Sequence, residues 1–166
     1  CEYKLKCIDL AYKYLKPDVI HMHDDWGTND NMFFSPDIWR EFIKPNEKKY
    51  ADHIHELGML YMHHSCGYIQ QIIPDLVEIG IDCIEPVMVK NDVDYILENF
   101  GDKITVAGGL DNQKMEAPGS TEEEIRQEIR NRMDRYVNKG RYIPYYIPTD
   151  EKKFGIYVDE VNKYGR

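Results

Sequence analysis

Histidine, cysteine and carboxylate residues follow several short apolar segments of this chain, and residues of these types bind metals. His64 and Cys66 are separated by one residue, and both belong to the types that zinc favours. Since a catalytic zinc site needs at least three protein ligands, we expect Glu85 or Cys83, on the next apolar segment, to supply the third. The alternative is a hydrogen-bonded turn in which Gly67 adopts a tight backbone conformation.

A second polar cluster contains His21, His23, Asp24 and Asp25. Imidazoles and carboxylates at the end of a strand can carry out acid–base chemistry or orient a cationic group. His21 and His23 are two residues apart, so a strand would present both on one face. The alternative is a loop whose aspartates cap its own backbone.

A third candidate is the run Gly108-Gly109-Leu110-Asp111. Two glycines allow a backbone to approach a ligand closely, and the Asp111 carboxylate could accept a hydrogen bond from that ligand. A closely packed turn of a barrel explains the glycine pair equally well.

Strand-like and helix-like segments alternate along the chain and must position these residues. Strands are expected at residues 19–23, 59–63, 81–87, 104–107 and 141–146. Helical spacing of apolar residues covers residues 3–15, 35–58, 69–79, 93–100, 120–140 and 151–164, with a break expected at Pro45. Strict alternation predicts an α/β fold with parallel strands and right-handed crossovers. In α/β barrels, the carboxyl ends of such strands carry the active site.

Composition excludes several classes of protein. The chain has 166 residues and a net charge of −9, with no basic stripe, which argues against nucleic-acid binding. No apolar run approaches the ~20 residues of a membrane span. Four cysteines in a chain of this size do not indicate a disulfide framework, so a reducing cytoplasm is expected.

The chain begins with Cys1 rather than Met, inside a helical pattern. We therefore expect residues 1–166 to form one domain that lacks an N-terminal portion. Five strands would leave two open sheet edges, so the piece is expected to associate with itself or to belong to a longer chain.

An ordered series of short motifs runs along nearly the whole chain, from about residue 8 to residue 165. The motifs are Asp24-Asp25-Trp26-Gly27-Thr28, Ser35-Pro36-x-x-Trp39-x-x-Phe42-x-x-Pro45, His64-Ser65-Cys66-Gly67, Pro74-Asp75-Leu76, Gly80-x-Asp82 and Gly108-Gly109-Leu110-Asp111. The series resembles the uroporphyrinogen decarboxylase superfamily. The resemblance implies a (β/α)8 TIM-type barrel, of which this chain would be the C-terminal half.

The His64-x-Cys66 pair resembles the cobamide-dependent methyltransferase branch of that superfamily, in which zinc activates a thiol such as coenzyme M. The resemblance implies methyl transfer from a methyl-corrinoid, with a corrinoid protein or a tetrapyrrole as partner. By this resemblance His64 and Cys66 would bind zinc together with a later Cys; in its place we expect Glu85, or else Cys83, as the third ligand. Asp24, Asp25 and Asp111 would be catalytic, and the corrinoid or tetrapyrrole would contact His21, His23, Gly108 and Gly109.

Two alternatives remain open at the level of sequence. One is the cofactor-free uroporphyrinogen III decarboxylase of porphyrin and heme biosynthesis, which requires cationic groups for the substrate carboxylates. The other is a non-catalytic family member. The chain has no Cys after Cys83 and no His after His64, so its last strand carries neither the Cys of the methyltransferases nor the His of the decarboxylases.

Overall fold

The computed structural model describes residues 1–165, in which helices and parallel strands alternate. The strands are β1 (Val19–His23), β2 (Leu60–His64), β3 (Cys83–Val87), β4 (Thr105–Gly108) and β5 (Tyr142–Ile143). The helices are α1 (Glu2–Leu15), α2 (Pro36–Phe42), α3 (Lys44–Glu56), α4 (Ile73–Ile79), α5 (Val93–Phe100), α6 (Asn112–Glu116), α7 (Glu122–Tyr136) and α8 (Glu151–Tyr164), with a 3₁₀ turn at Gln70–Ile72. The predicted α/β class is confirmed.

The chain divides into two compact units, residues 1–85 and residues 86 onward. In the first unit, β1 pairs with β2 and β2 with the start of β3, all in parallel. Their register aligns His23 with His64 and His64 with Glu85. Since residues aligned across parallel strands project to the same side, these three side chains form a row across one face of the sheet.

Successive residues of β2 alternate between the two faces of the sheet. Tyr61 and His63 are buried on the face covered by helices, whereas Met62 and His64 are only partly covered on the other. Met59, at the start of the predicted strand, lies one residue before β2.

Local sequence signals explain the helices around this sheet. The Ser35 hydroxyl accepts a hydrogen bond from the Ile38 backbone N–H, and Pro36 occupies the first turn of α2. The expected break occurs at Ile43, two residues before Pro45, because α2 ends at Phe42 and α3 begins at Lys44 with Pro45 in its first turn.

Ion pairs then hold α4 to these helices. Asp75 lies 3.0 Å from the guanidinium of Arg40 and 2.7 Å from the ammonium of Lys44, and these hydrogen bonds keep the Asp75 pKa below its ordinary value despite partial burial.

In the second unit, β4 pairs in parallel with β5, and α7 packs on α8. Thr121 and Glu124 form a capping box at the start of α7. The last strand is shorter than predicted because Pro144 has no backbone N–H to continue a ladder. The short helix α6, which the periodicity did not predict, begins where Asp111 accepts a hydrogen bond from the Lys114 N–H. No helix within residues 1–165 is long and apolar enough to cross a bilayer.

Candidate metal site

Three strands of the first unit bring imidazoles and one carboxylate together at their carboxyl ends. The rings of His23 and His64 stack with centroids 4.4 Å apart, and the ring of His21 lies 4.3 Å from that of His23. Glu85 completes the group from β3. Each of these four side chains offers one ligand atom within 4.8 Å of the other three. We call these residues the nitrogen-rich set.

Glu85 is the buried member of this set. Its side chain is 0% exposed, and its Oε1 atom lies 2.6 Å from His21 Nε2 and 2.8 Å from His64 Nδ1. Its Oε2 atom is also buried and has no hydrogen-bond partner among the described residues. A buried carboxylate oxygen without a donor is costly, so the site is suited to a cation.

The two ring nitrogens of His64 face different partners. Because the Glu85 carboxylate accepts at Nδ1, that nitrogen carries the ring proton when His64 is neutral. The Nε2 lone pair then faces Cys66 Sγ at 3.4 Å and Asp25 Oδ1 at 3.4 Å. Asp25, His64 and Cys66 form a second group of candidate ligands, which we call the sulfur-containing set.

Two loops, following β1 and β2, present Asp25 and Cys66. The Cys66 backbone N–H donates to Asp25 Oδ1 at 2.8 Å. Burial and the Asp25 carboxylate raise the pKa of the Cys66 thiol. The loops touch through glycines: Gly67 has φ +91°, and a Cβ there would lie 2.3 Å from the Gly27 backbone. Glycine is therefore required at position 67.

The structure distributes the predicted zinc ligands over both sets. His64 belongs to both, Cys66 to the sulfur-containing set, and Glu85 to the nitrogen-rich set together with His21 and His23. Cys83 belongs to neither set, and burial raises the pKa of its thiol to about 12.

Other predicted residues have structural partners of their own. The Asp24 side chain is exposed, while its backbone N–H donates to the His64 carbonyl. In the second unit, Asp111 caps α6. There Gly108 has φ +137°, and a Cβ at this position would lie 2.5 Å from the Val87 nitrogen. Close approach between backbone segments thus accounts for glycine at position 108.

Sequence reasoning missed a buried relay behind β2, formed by Glu47, Tyr61 and His63. The Tyr61 hydroxyl lies 2.5 Å from Glu47 Oε2 and 3.0 Å from His63 Nδ1. His63 Nε2 donates to the Asp24 carbonyl at 3.2 Å, and its ring stacks on Trp26. Burial lowers the pKa of His63 to about 3 and raises that of Glu47 to about 7.

These distances fix where the protons of the relay lie. A carbonyl only accepts, so His63 carries its proton on Nε2 and accepts at Nδ1 from the Tyr61 hydroxyl. The Tyr61 oxygen can then accept from a protonated Glu47, in agreement with the raised pKa. The sequence feature that indicates burial of Glu47 is its helical spacing to Ala51 and Ile54, which are buried on the same face of α3.

Comparisons with known proteins agree with this fold. The family model of Uroporphyrinogen decarboxylase (URO-D) matches residues 7–145. A methyltransferase from Methanosarcina mazei has a similar structure, with a TM-score of 0.76 and 19% sequence identity. The match covers 99% of this chain and 47% of the methyltransferase, so the chain spans about half the length of that protein. The strand order and this coverage are those of part of a (β/α)8 barrel. A search of curated proteins found no match.

Proposed function

The chain belongs to the uroporphyrinogen decarboxylase family, and we propose that it carries part of a methyltransferase active site in which zinc assists methyl transfer from a methyl-corrinoid to a thiol. The observation that carries this proposal is the sulfur-containing set, in which Cys66 Sγ lies 3.4 Å from His64 Nε2. The similar fold of a methyltransferase gives further support.

The donors of the sulfur-containing set suit zinc. A thiolate, an imidazole nitrogen and a carboxylate oxygen are the three ligand types that zinc takes in proteins, and three protein ligands leave a position open for a substrate. His64, Cys66 and Asp25 would hold the ion. Zinc bound there would keep an acceptor thiol in its thiolate form, which is the nucleophilic form at neutral pH.

The protein's own residues prepare the ligands. Glu85 Oε1 holds the His64 proton at Nδ1 and so keeps the Nε2 lone pair directed at Cys66 and Asp25. A carboxylate behind a ligating histidine is the usual arrangement that fixes ring orientation and raises ligand basicity. The Asp25 carboxylate also accepts a hydrogen bond from the Cys66 backbone N–H, which keeps the carboxylate and the thiol adjacent.

Porphyrinogen decarboxylation is the second candidate, because the matching family model has that name. This reaction needs cationic groups near the substrate carboxylates and no metal. His21 and His23 could serve that purpose when protonated, although burial and then the neighbouring imidazoles lower the pKa of His23. Turnover of uroporphyrinogen by chelator-treated protein would favour this candidate.

Cobalt substitution tests the proposal directly, because Co²⁺ bound to a thiolate absorbs strongly in the near ultraviolet through sulfur-to-metal charge transfer. We expect this band in the wild-type protein and its loss in Cys66→Ser, together with loss of methyl transfer from methylcobalamin to coenzyme M. Cys7→Ser, which changes an exposed cysteine on α1, is the matched control and should keep both. A wild-type protein without the band would overturn the proposal.

A further inference from the structure

We infer that His21, His23, His64 and Glu85 bind a divalent transition-metal ion without any contribution from Cys66. This position lies on the Nδ1 side of His64, whereas the sulfur-containing set uses Nε2. The inference goes beyond the proposed function: the two sets share His64, but His21, His23 and Glu85 belong only to this one.

Backbone register builds this position from three adjacent strands. His21 and His23 are two residues apart on β1 and therefore project from one face. His64 aligns with His23 on one side and with Glu85 on the other. Three regular strands thus hold the four side chains, and sites on regular elements are held more precisely than sites on loops.

The buried negative charge of Glu85 favours binding of a cation. Its carboxylate is fully buried, one oxygen is close to two imidazole nitrogens, and the other oxygen has no partner among residues 1–165. A metal ion would compensate the buried negative charge of this carboxylate. The other titratable groups beside His64 are Asp25 and Cys66, neither of which supplies a fixed positive charge.

The His64 ring can keep its proton, on Nε2, when Nδ1 binds a metal. A neutral imidazole carries one proton, so ligation through Nδ1 moves that proton to Nε2. Nε2 lies 3.4 Å from Asp25 Oδ1, so the carboxylate can accept a hydrogen bond from the proton on Nε2. Asp25 would then fix the orientation of the His64 ring from the Nε2 side, as Glu85 does from the Nδ1 side when a metal binds Nε2.

The donor set indicates the class of metal. Three imidazoles and one carboxylate suit Zn²⁺, Fe²⁺, Ni²⁺ and Cu²⁺, whereas Mg²⁺ and Ca²⁺ prefer sites made of oxygen atoms alone. Two imidazoles and a carboxylate would already complete a three-ligand site, and the third imidazole adds affinity.

Cobalt binding to Cys66→Ser isolates the nitrogen-rich set. We expect this variant to bind Co²⁺ with visible d–d bands and no sulfur charge-transfer band, in competition with a chelator of known affinity. Adding His23→Ala should weaken Co²⁺ binding by more than about tenfold, as should adding Glu85→Gln. Adding His53→Ala, which removes an imidazole that is paired with Asp9, should leave affinity unchanged. Circular dichroism would verify that each variant is folded.

The outcomes separate the two sites. Failure of folded Cys66→Ser to bind Co²⁺, or binding that both His23→Ala and Glu85→Gln leave unchanged, would overturn the nitrogen-rich site. The proposed function is judged separately, by the charge-transfer band of the wild-type protein.

Discussion

His63 and His64 are adjacent on β2, yet they lie in opposite surroundings. His63 is fully buried on the helix-covered face, where both ring nitrogens have partners and its ring stacks on Trp26. His64 lies on the other face, 16% exposed, beside a carboxylate that has one oxygen without a partner. One residue along a strand is enough to change faces, and the environment of the imidazole changes with it.

Polar residues have different roles on the two faces of β2. On the helix-covered face, Glu47, Tyr61 and His63 satisfy one another, and such a satisfied buried network stabilises a unique packing. On the other face, Glu85 Oε1 has imidazole partners but the buried Oε2 has none among the described residues, which costs stability and favours binding of a further group. Substitutions on the two faces should therefore affect different properties of the protein.

The largest effect on stability is expected from Trp39→Ala. Trp39 is fully buried and packs edge-on against Trp26 with ring centroids 5.1 Å apart, next to the relay. Removing it should lower the free energy of unfolding by about 3–5 kcal/mol through lost burial and a cavity. Urea denaturation followed by circular dichroism measures this loss. Phe33→Ala is the control, because Phe33 is 54% exposed; an equal loss in both variants would contradict the assignment of the core.

Tyr61→Phe should break the relay while keeping the ring. Without the hydroxyl, Glu47 and His63 Nδ1 lose their partner in a buried site, at a cost of about 2–3 kcal/mol. The same urea titration measures it, and Tyr3→Phe, at a position that is 78% exposed, is the matched control. Equal stability of Tyr61→Phe and wild type would show that the relay contributes nothing to the free energy of unfolding.

Glu47 makes stability depend on pH in a direction that can be worked out. Its pKa is raised from an ordinary 4.5 to about 7 in the folded state, so the folded state binds the proton more tightly. The resulting stabilisation is fully present below pH 4.5 and is lost as the pH rises through about 7. Between pH 5.5 and 8, wild type should lose about 1–2 kcal/mol more than Glu47→Gln, which keeps a neutral side chain. A difference between the two proteins that is constant with pH would contradict this.

The smallest effect on stability is expected on the other face. In the presence of a chelator, His23→Ala should change the free energy of unfolding by less than about 0.5 kcal/mol, because the His23 side chain is exposed. The same variant should lose metal-dependent stabilisation, which thermal melts with and without Zn²⁺ would measure. A large loss in the chelated protein would mean that His23 has a packing role like that of His63.

The sequence predicted the elements well because local signals determine them. Such signals depend on a few neighbouring residues, as in the Ser35 cap, the helix break just before Pro45 and the capping box at Thr121. The short helix α6 was missed because five residues hold too few periodic positions to stand out from a loop.

The grouping of the site residues depends instead on long-range geometry. That His64 neighbours Glu85 through one nitrogen and Cys66 through the other follows from strand register and ring orientation, neither of which sequence spacing contains. Glu47 was missed for a different reason: it lies among lysines, so its helix looked solvated at that point. Only its spacing to apolar residues of α3 indicated burial.

The close contact between Gly27 and Gly67 limits how the candidate metal site can be altered. The two backbones are in contact there. The Tyr68 N–H donates to the Thr28 carbonyl at 2.7 Å, and the Cys66 N–H donates to the Asp25 carboxylate, so several contacts join the loops after β1 and β2. An insertion in one loop alone would pull on the other and displace Asp25 relative to Cys66. The two loops therefore have to be exchanged as a pair when the specificity of the site is redesigned.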